Sequence, residues 1–217
     1  MNKYVFRSLM FVPAHNRKLL NSSIKSKADA LLLDLEDSVQ SKKNKQIARE
    51  NIINMVEGNK FEDFYIFPRV NDIESGELLK DIHQLTIKGV EGFVYPKSKE
   101  SGDVYFFSKM LETIEYEKGI KIGTYKIILL IETAASVMNL NEICKASDRI
   151  IAIAFGCEDY ITDLDGINDR DGMSIHTPRT LIPIAARGNA IIPIDTVHIN
   201  VHDLKKLEHN LTISKKL

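Results

Sequence analysis

The sequence predicts an α/β fold built on a parallel sheet, and three observations point to it. Short apolar runs recur along the chain at intervals that leave room for a helix between them. Some, such as Ile127–Ile131 (IILLI), are continuously aliphatic rather than alternating, which fits a strand buried on both faces, although periodicity alone leaves a buried helix open. Six of the seven runs are followed within a residue or two by an acid, Arg or Lys. In a parallel sheet those residues gather at the carboxyl rim, where α/β proteins bind ligands and metals.

The runs follow one another in a regular order. Ser8–Pro13 (SLMFVP) is closed by proline and reads as the first strand, and AHNRKLLNSSIKSKA then spaces Leu19, Leu20 and Ile24 along one helical face. Ala30–Leu35 (ALLLDL) is the second run and ends in Glu36 and Asp37. The next helix starts at Ser41 and stops at Gly58. Phe64–Val70 (FYIFPRV) is the third run, with Pro68 and Arg69 at its end, and helical signals resume over GELLKDIHQLTIKG. Val90–Tyr95 (VEGFVY) is the fourth, ended by Pro96 and Lys97. A helix-prone stretch from Ser98 to Lys118 leads to the fifth, KIILLIET, which runs into Glu132. Ala134–Ala146 reads as one helix, and Arg149–Phe155 (RIIAIAF) is the sixth run, ended by Gly156, Glu158 and Asp159. After a long polar connection, ITDLDGINDRDGMSIHT, Pro178 opens a further helix, whose interior Pro183 weakens the pattern. Ala190–Ile194 (AIIPI) is the seventh run, ending in Asp195, and the remainder is helix-like.

Among α/β architectures a TIM (β/α)8-type barrel fits best, yet it calls for eight strands and the sequence supplies about seven. No GxGxxG follows the first strand and there is no Walker-type phosphate loop, so a nucleotide fold lacks its fingerprint. No internal repeat or low-complexity segment interrupts the chain. Residues 1–217 therefore read as a single (β/α) barrel domain.

Composition narrows the function. With 29 basic and 30 acidic residues the formal charge is −1, which leaves no electrostatic footprint for nucleic acid. Lys42, Lys43 and Lys45 cluster, as a solvated helix face commonly does. Cys144 and Cys157 form neither a disulfide framework nor metal-ligand spacing, and inert, partly buried thiols are expected. The apolar segment in MNKYVFRSLMFVP is too short for a signal peptide, and no run is long enough to cross a bilayer. A cytoplasmic protein without membrane partners is expected.

The chemistry gathers in the rim residues Glu36, Asp37, Arg69, Lys97, Glu132, Glu158, Asp159 and Asp195. Two carboxylates on consecutive strands, with no His or Cys beside them at ligand spacing, suit a hard cation. Mg2+ commonly takes one or two carboxylates and completes its octahedron with waters and substrate oxygens. Glu132 and Asp159 are the best candidates. Arg69 offers a bidentate fork to a carboxylate or a developing enolate oxygen. Metal plus arginine over an oxyanion suits chemistry beside a carbonyl. The bland alternative is a network of rim salt bridges that satisfy one another. Asp29, Asp34, Glu36 and Asp37 are crowded enough that at least one should pair with a base such as Arg7 or Lys97, or lie behind the metal ligands. The six histidines follow no metal-binding pattern.

Six motifs occur in order: RSLMFVPAHNRK, DALLLDLEDSV with KKNKQIAREN, PRVND, GVEGFVYPKS, ILLIETAASVMNLNEI and DRIIAIAFGCEDYITDLDG. Together, from about Arg7 to Asp195, they make the chain resemble the citrate lyase beta-subunit-like branch of the HpcH/HpaI aldolase family. The resemblance implies a Mg2+-dependent TIM barrel, commonly trimeric, that cleaves or forms carbon–carbon bonds in acyl-CoA or keto acid substrates such as citryl-CoA and malyl-CoA. It implies that Glu132 and Asp159 are metal ligands, with Glu132 also facing substrate. Arg69 would bind the substrate's carboxylate or keto oxygen, and Glu36 and Asp37 would lie near the metal through waters. Arg7, Arg17 and Lys97 would touch the acyl-CoA or keto acid. The implied reaction is a retro-Claisen or retro-aldol cleavage in which one half leaves as an enolate.

Two departures stand out. Ala14 occupies a position where the family usually has glycine, which would crowd a loop near the ligand. The family also continues, beyond the residue equivalent to Leu217, into an eighth strand and a C-terminal lid. The chain is therefore expected to be a C-terminally truncated barrel. A competing reading is a degenerate member that binds metal or ligand without catalysis, or works only as a subunit of a lyase complex with acyl-carrier and transferase partners. A third is a Mg2+-dependent aldolase acting on free keto acids.

Overall fold

A strand with no polar side to show to water must be covered on both faces; the apolar runs all become strands, those in the middle of the chain buried nearly throughout and the first and last only in part. In the computed structural model, which describes residues 4–167, 172–200 and 202–217, they are β1 (Leu9–Pro13), β2 (Ala30–Asp34), β3 (Tyr65–Arg69), β4 (Gly92–Tyr95), β5 (Lys126–Ile131), β6 (Ile150–Phe155) and β7 (Ile192–Ile194). Among the described residues these seven strands follow chain order in one sheet. The chain forms two compact units, Met1–Pro96 with Phe106–Ile128, and Lys97–Tyr105 with Leu129–Leu217.

In the first unit β1, β2 and β3 pair in parallel, with Pro13 opposite Asp34 and Asp34 opposite Arg69; β4 adds in parallel with Arg69 opposite Val94. Every residue of β2 and β4 is buried. The helices are α1 (Arg17–Ser23), α2 (Lys42–Glu57), α3 (Leu78–Leu85) and most of α4 (Ser101–Glu117). Helix α2 has the ends its sequence predicts. The Ser41 hydroxyl accepts the Asn44 amide at 3.2 Å, and Gly58 takes the C-cap. Leu31, Leu33, Ile66, Phe93, Ile52 and Ile82 fill this core with no more than 1% of their surface exposed. Burying each such side chain contributes roughly 1.5–3 kcal/mol before ordering costs.

The second unit holds the end of β5, β6 and β7, the last two parallel with Ala152 opposite Ile192. Its helices are α5 (Ala134–Met138), α6 (Leu140–Lys145), α7 (Cys157–Asp163), α8 (Met173–Gly188) and α9 (Leu204–Ser214). All six residues of β6 are buried.

Two helix readings need correction. The single helix expected over Ala134–Ala146 is broken at Asn139 (φ −104°, ψ 14°), whose exposed side-chain amide donates to the Lys99 carbonyl at 3.0 Å. Helix α8 begins at Met173, not at Pro178, so both prolines lie inside it. Gly172, at φ +69°, turns the chain into the helix five residues before Pro178. The polar connection is correspondingly shorter, because Ile161–Asp163 still belongs to α7; residues 168–171 of it lie outside the described residues. Among the described residues no helix is long and apolar enough to cross a membrane.

Candidate functional site

The register explains the first cluster. Asp34 and Arg69 are paired positions on neighbouring parallel strands, so their side chains leave the same face at the carboxyl ends of β2 and β3. The guanidinium closes on Asp34 with both fork positions, Nε to Oδ1 at 2.6 Å and Nη2 to Oδ2 at 2.8 Å. Its remaining nitrogen, Nη1, lies 2.8 Å from Asp37 and 3.0 Å from Glu36. The Phe11 ring sits below it, 5.0 Å from centroid to guanidinium carbon. Burial alone would push the Asp34 carboxyl up, but the Arg69 fork, with bonds from the Ser38 and Glu36 amides, outweighs it and holds the carboxyl below its ordinary value. Burial works against the Arg69 charge in turn, and Asp34, Glu36 and Asp37 more than offset it, keeping the guanidinium firmly protonated. Arg69, Glu36 and Asp37 are thus brought together, with Arg69 as the common cation. Asp34, which the rim set left out, is the principal partner.

The second cluster forms around Glu132, which directly follows β5 and is 2% exposed. Its Oε1 accepts the backbone N–H of Lys97 at 2.6 Å. Lys97 holds φ +54°, a left-handed conformation that costs a non-glycine residue on the order of 1 kcal/mol. The main chain after Pro96 is thus turned so that its amide meets the carboxylate. Gly156 N–H bonds the Ile131 carbonyl at 3.0 Å, and a Cβ on Gly156 would stand 2.7 Å from both Cβ and Oε2 of Glu132. Glycine here lets the carboxylate lie across the start of α7, and Asp159 sits in the first turn of that helix. On the other side, Thr133 and Ser136 make a reciprocal capping box for α5, and Ala134 N–H donates to Asp163 Oδ2 at 2.7 Å. The segment carrying Glu132 is therefore tied to the helix carrying Asp159.

These observations test the fit of a cation. Glu132 over its glycine cradle and Asp159 in the first turn of α7 would offer carboxylate oxygens only, the donor type that Mg2+ takes with waters retained. Among the described residues no group of three or more His, Cys, Asp or Glu forms a cation cage, and a two-carboxylate site falls below that number.

The remaining sequence candidates are placed elsewhere. Arg7 precedes β1 and pairs with Asp29, which precedes β2, at the amino ends of the strands whose carboxyl ends carry the Arg69 cluster. Arg17 is exposed at the start of α1. Asp195 is engaged by Arg179, Nε to Oδ1 at 2.8 Å, and by the Ser214 hydroxyl, which ties β7 to α8 and α9. Ala14 is fully buried, with its N–H on the Asp34 carbonyl at 3.0 Å. Burial pushes both cysteine thiols up to about 11, so both are protonated at neutral pH. Sequence reasoning missed the Lys97 amide, since a left-handed non-glycine residue leaves no mark in residue types, and it counted Asp34 among the crowded acids without finding Arg69 as its partner.

The profile of the HpcH/HpaI aldolase/citrate lyase family matches residues 7–214. This chain belongs to that family. The citrate lyase subunit beta of Haemophilus influenzae is 30% identical over 97% of the chain, which spans 72% of that relative. The L-malyl-CoA/beta-methylmalyl-CoA lyase of Rhodobacter capsulatus is 27% identical over 87% of the chain, which spans 65% of it. The chain is thus about two thirds as long as the curated family members it matches. The fold is shared with protein CitE from Mycobacterium tuberculosis, solved in complex with magnesium and acetoacetate, at a TM-score of 0.74 and 22% identity, covering 93% of this chain and 77% of that one. Within the family's motifs, Arg69 and Glu132 are the residues around which this chain builds its two charged clusters.

Proposed function

We propose that this chain is a Mg2+-dependent carbon–carbon lyase that cleaves a citryl-CoA- or malyl-CoA-type thioester into a keto acid and an acyl-CoA, in the frame of a TIM-type barrel. The observation that carries the reading is the Glu132 centre, a buried carboxylate set over Gly156 beside the helix of Asp159, in a chain with one curated relative named as a citrate lyase subunit and another as a malyl-CoA lyase. Glu132 and Asp159 would hold the metal, which when bound supplies Lewis-acid polarisation of a substrate oxygen.

The chain's own residues perform the rest. Asp34 occupies two nitrogens of Arg69 and fixes the plane of the guanidinium, so Nη1 is the edge presented to substrate. Asp37, whose side chain is 48% exposed, is the partner of Nη1 that an incoming keto acid carboxylate displaces. Glu36 and Asp37 therefore act through Arg69. In the cleavage the hydroxyl of the substrate loses its proton and becomes the keto carbonyl. The electron pair of the broken carbon–carbon bond goes to the thioester half as an enolate, and one proton returns to its carbon. Arg69 stabilises the keto acid half throughout. The Lys97 amide keeps Glu132 oriented, and the Lys97 ammonium would touch the acyl-CoA or the keto acid. The word "subunit" in the name of the Haemophilus relative favours a second reading, in which the chain works as a homotrimer or inside a lyase complex with acyl-carrier and transferase partners.

The test is metal titration with turnover of citryl-CoA and malyl-CoA, for the wild type, Glu132→Gln and Asp159→Asn. Each substitution is expected to weaken Mg2+ binding at least tenfold and to abolish acyl-CoA release. Unchanged Mg2+ affinity in both variants defeats the site assignment. Metal binding without turnover by the isolated chain, restored by co-purifying subunits, selects the complex over the independent enzyme.

A further inference from the structure

The three lysines at the start of α2 read alike in the sequence, but Lys45 differs from Lys42 and Lys43 in the fold. The latter two are exposed. Lys45 is half-buried, and its ammonium donates to the Leu35 carbonyl at 3.1 Å and to Oδ1 of Asn71. Leu35 lies between Asp34 and Glu36, both partners of Arg69, and its own N–H donates to the Arg69 carbonyl at 3.0 Å. Asn71 lies two residues past Arg69. One ammonium therefore joins the two loops that carry the Arg69 cluster.

Asn71 is itself held from behind. Its backbone N–H and its side-chain Nδ2 both donate to Asp81 Oδ2, at 2.8 and 2.6 Å. The other oxygen of Asp81 accepts Arg49 Nη1 at 2.6 Å, and Arg49 Nη2 reaches Glu77 at 2.9 Å. The side chains of Arg49, Glu77 and Asp81 are at most 3% exposed. With Nδ2 committed to Asp81, the Asn71 amide has one orientation, and Oδ1 is the acceptor left for a cation. The buried ion group between α2 and α3 is the anchor, and Lys45 is the tie from it to the Asp34–Asp37 loop.

We propose that Lys45 is a positioning residue for Arg69. It keeps the Asp34–Asp37 loop and the Arg69–Asn71 loop in register so that Nη1, rather than the whole guanidinium, exchanges partners when a keto acid carboxylate arrives. The inference rests on the reading of Arg69 as the carboxylate-binding group, and it predicts a defect in keto acid binding with the metal ligands untouched.

The experiment uses the whole chain, with Lys45→Met, Lys45→Arg, Lys42→Met and Arg69→Met beside the wild type. Three quantities are measured: pyruvate affinity in the presence of Mg2+, Mg2+ affinity alone, and solvent exchange of the Arg69 Nε–H by NMR, which needs no ligand. Lys45→Met is expected to weaken pyruvate about tenfold or more and to speed Arg69 Nε–H exchange, with Mg2+ affinity unchanged. Lys45→Arg restores most of both, and Lys42→Met changes neither. If Lys45→Met lowers only the thermal midpoint and leaves Arg69 exchange and pyruvate affinity at wild-type values, Lys45 is a stability residue and the inference is overturned. Weakened pyruvate in Arg69→Met alone removes the role of Lys45 and keeps that of Arg69. Unchanged pyruvate affinity in Arg69→Met overturns both.

Discussion

At the carboxyl ends of β2 and β3, Arg69 closes its fork on Asp34; at the amino ends of β1 and β2, Arg7 closes its fork on Asp29. The chemistry is the same, although both Arg7 nitrogens meet Oδ1 of Asp29 where those of Arg69 take one oxygen each, and the surroundings differ more. The Arg69 and Asp34 side chains are 11% and 3% exposed, against 79% and 11% for Arg7 and Asp29. Arg69 also faces Glu36 and Asp37, so one guanidinium serves three carboxyl groups. Each aspartate also takes two backbone amides, Arg7 and Ser8 N–H on Asp29 at 2.7 and 3.2 Å and Glu36 and Ser38 N–H on Asp34 at 3.0 Å each, so the two pairs differ in burial and in the extra carboxyl groups, not in these donors. A buried pair is dangerous to break because the remaining charge cannot reach water, whereas an exposed pair loses little. The rim pair is thus a charge device that the fold must protect, and the opposite one is a surface clasp.

Replacing Arg69 should give the largest effect. Arg69→Met leaves Asp34 and Glu36 buried without their common cation, and a loss of about 3–5 kcal/mol in unfolding free energy is expected from urea denaturation. Keto acid binding should vanish with it. A loss below about 1 kcal/mol would mean that the carboxyl groups find other donors, and the two pairs would then be equivalent. Arg69→Lys sharpens the comparison. Lysine restores one positive charge without the planar fork, so it should recover part of the stability and little of the keto acid affinity. Equal recovery of both would show that charge alone matters at Nη1.

The contrast also marks how far the sequence could be read. Strand identity was legible because runs such as Ile127–Ile131 have no polar face, and helix α2 because Ser41 and Gly58 mark its ends. That Arg69 and Glu132 follow strands, whereas Arg7 precedes one, is also visible in chain order, and in a parallel sheet it decides which end each occupies. Motif likeness, by contrast, is what places Arg7 among the substrate contacts. Other features needed coordinates. Asp34 became the partner of Arg69 through strand register, the Lys97 amide through a left-handed φ, and Lys45 through the orientation of a buried amide. The break at Asn139 and the early start of α8 were hidden because side-chain bonds and a left-handed glycine, not propensity, set them.

Acid should separate the wild type from Arg69→Met in a defined direction. The folded-state value of Asp34 lies below its unfolded value of about 3.9. Its contribution to stability is therefore complete above that pH and is lost as pH falls through the folded value. In the variant the Arg69 contribution is gone while burial still favours the protonated carboxyl, and only the Ser38 and Glu36 amides hold the value down, so acid withdraws less support from the variant than from the wild type. The stability gap between the two proteins should be widest near pH 7 and should narrow as pH falls through about 4. Urea midpoints at several pH values read this directly, and a gap independent of pH would place the lost energy in packing against Phe11.

Arg7→Gln is the smallest change and the cleanest control for the comparison. The Arg7 side-chain bonds are the main cause of the Asp29 value of about 2, and the Arg7 and Ser8 amides add to it. Removing the guanidinium should let that value rise part of the way toward the ordinary range while the amides hold the remainder. A carboxyl NMR titration of Asp29 reads the rise. Because the arginine head is in water, the thermal midpoint at pH 7 should stay within scatter, and Mg2+ and pyruvate affinities should match the wild type. A marked loss of pyruvate or acyl-CoA affinity in Arg7→Gln would keep Arg7 in the substrate-binding set, and the two ends of the strands could no longer be assigned to different work.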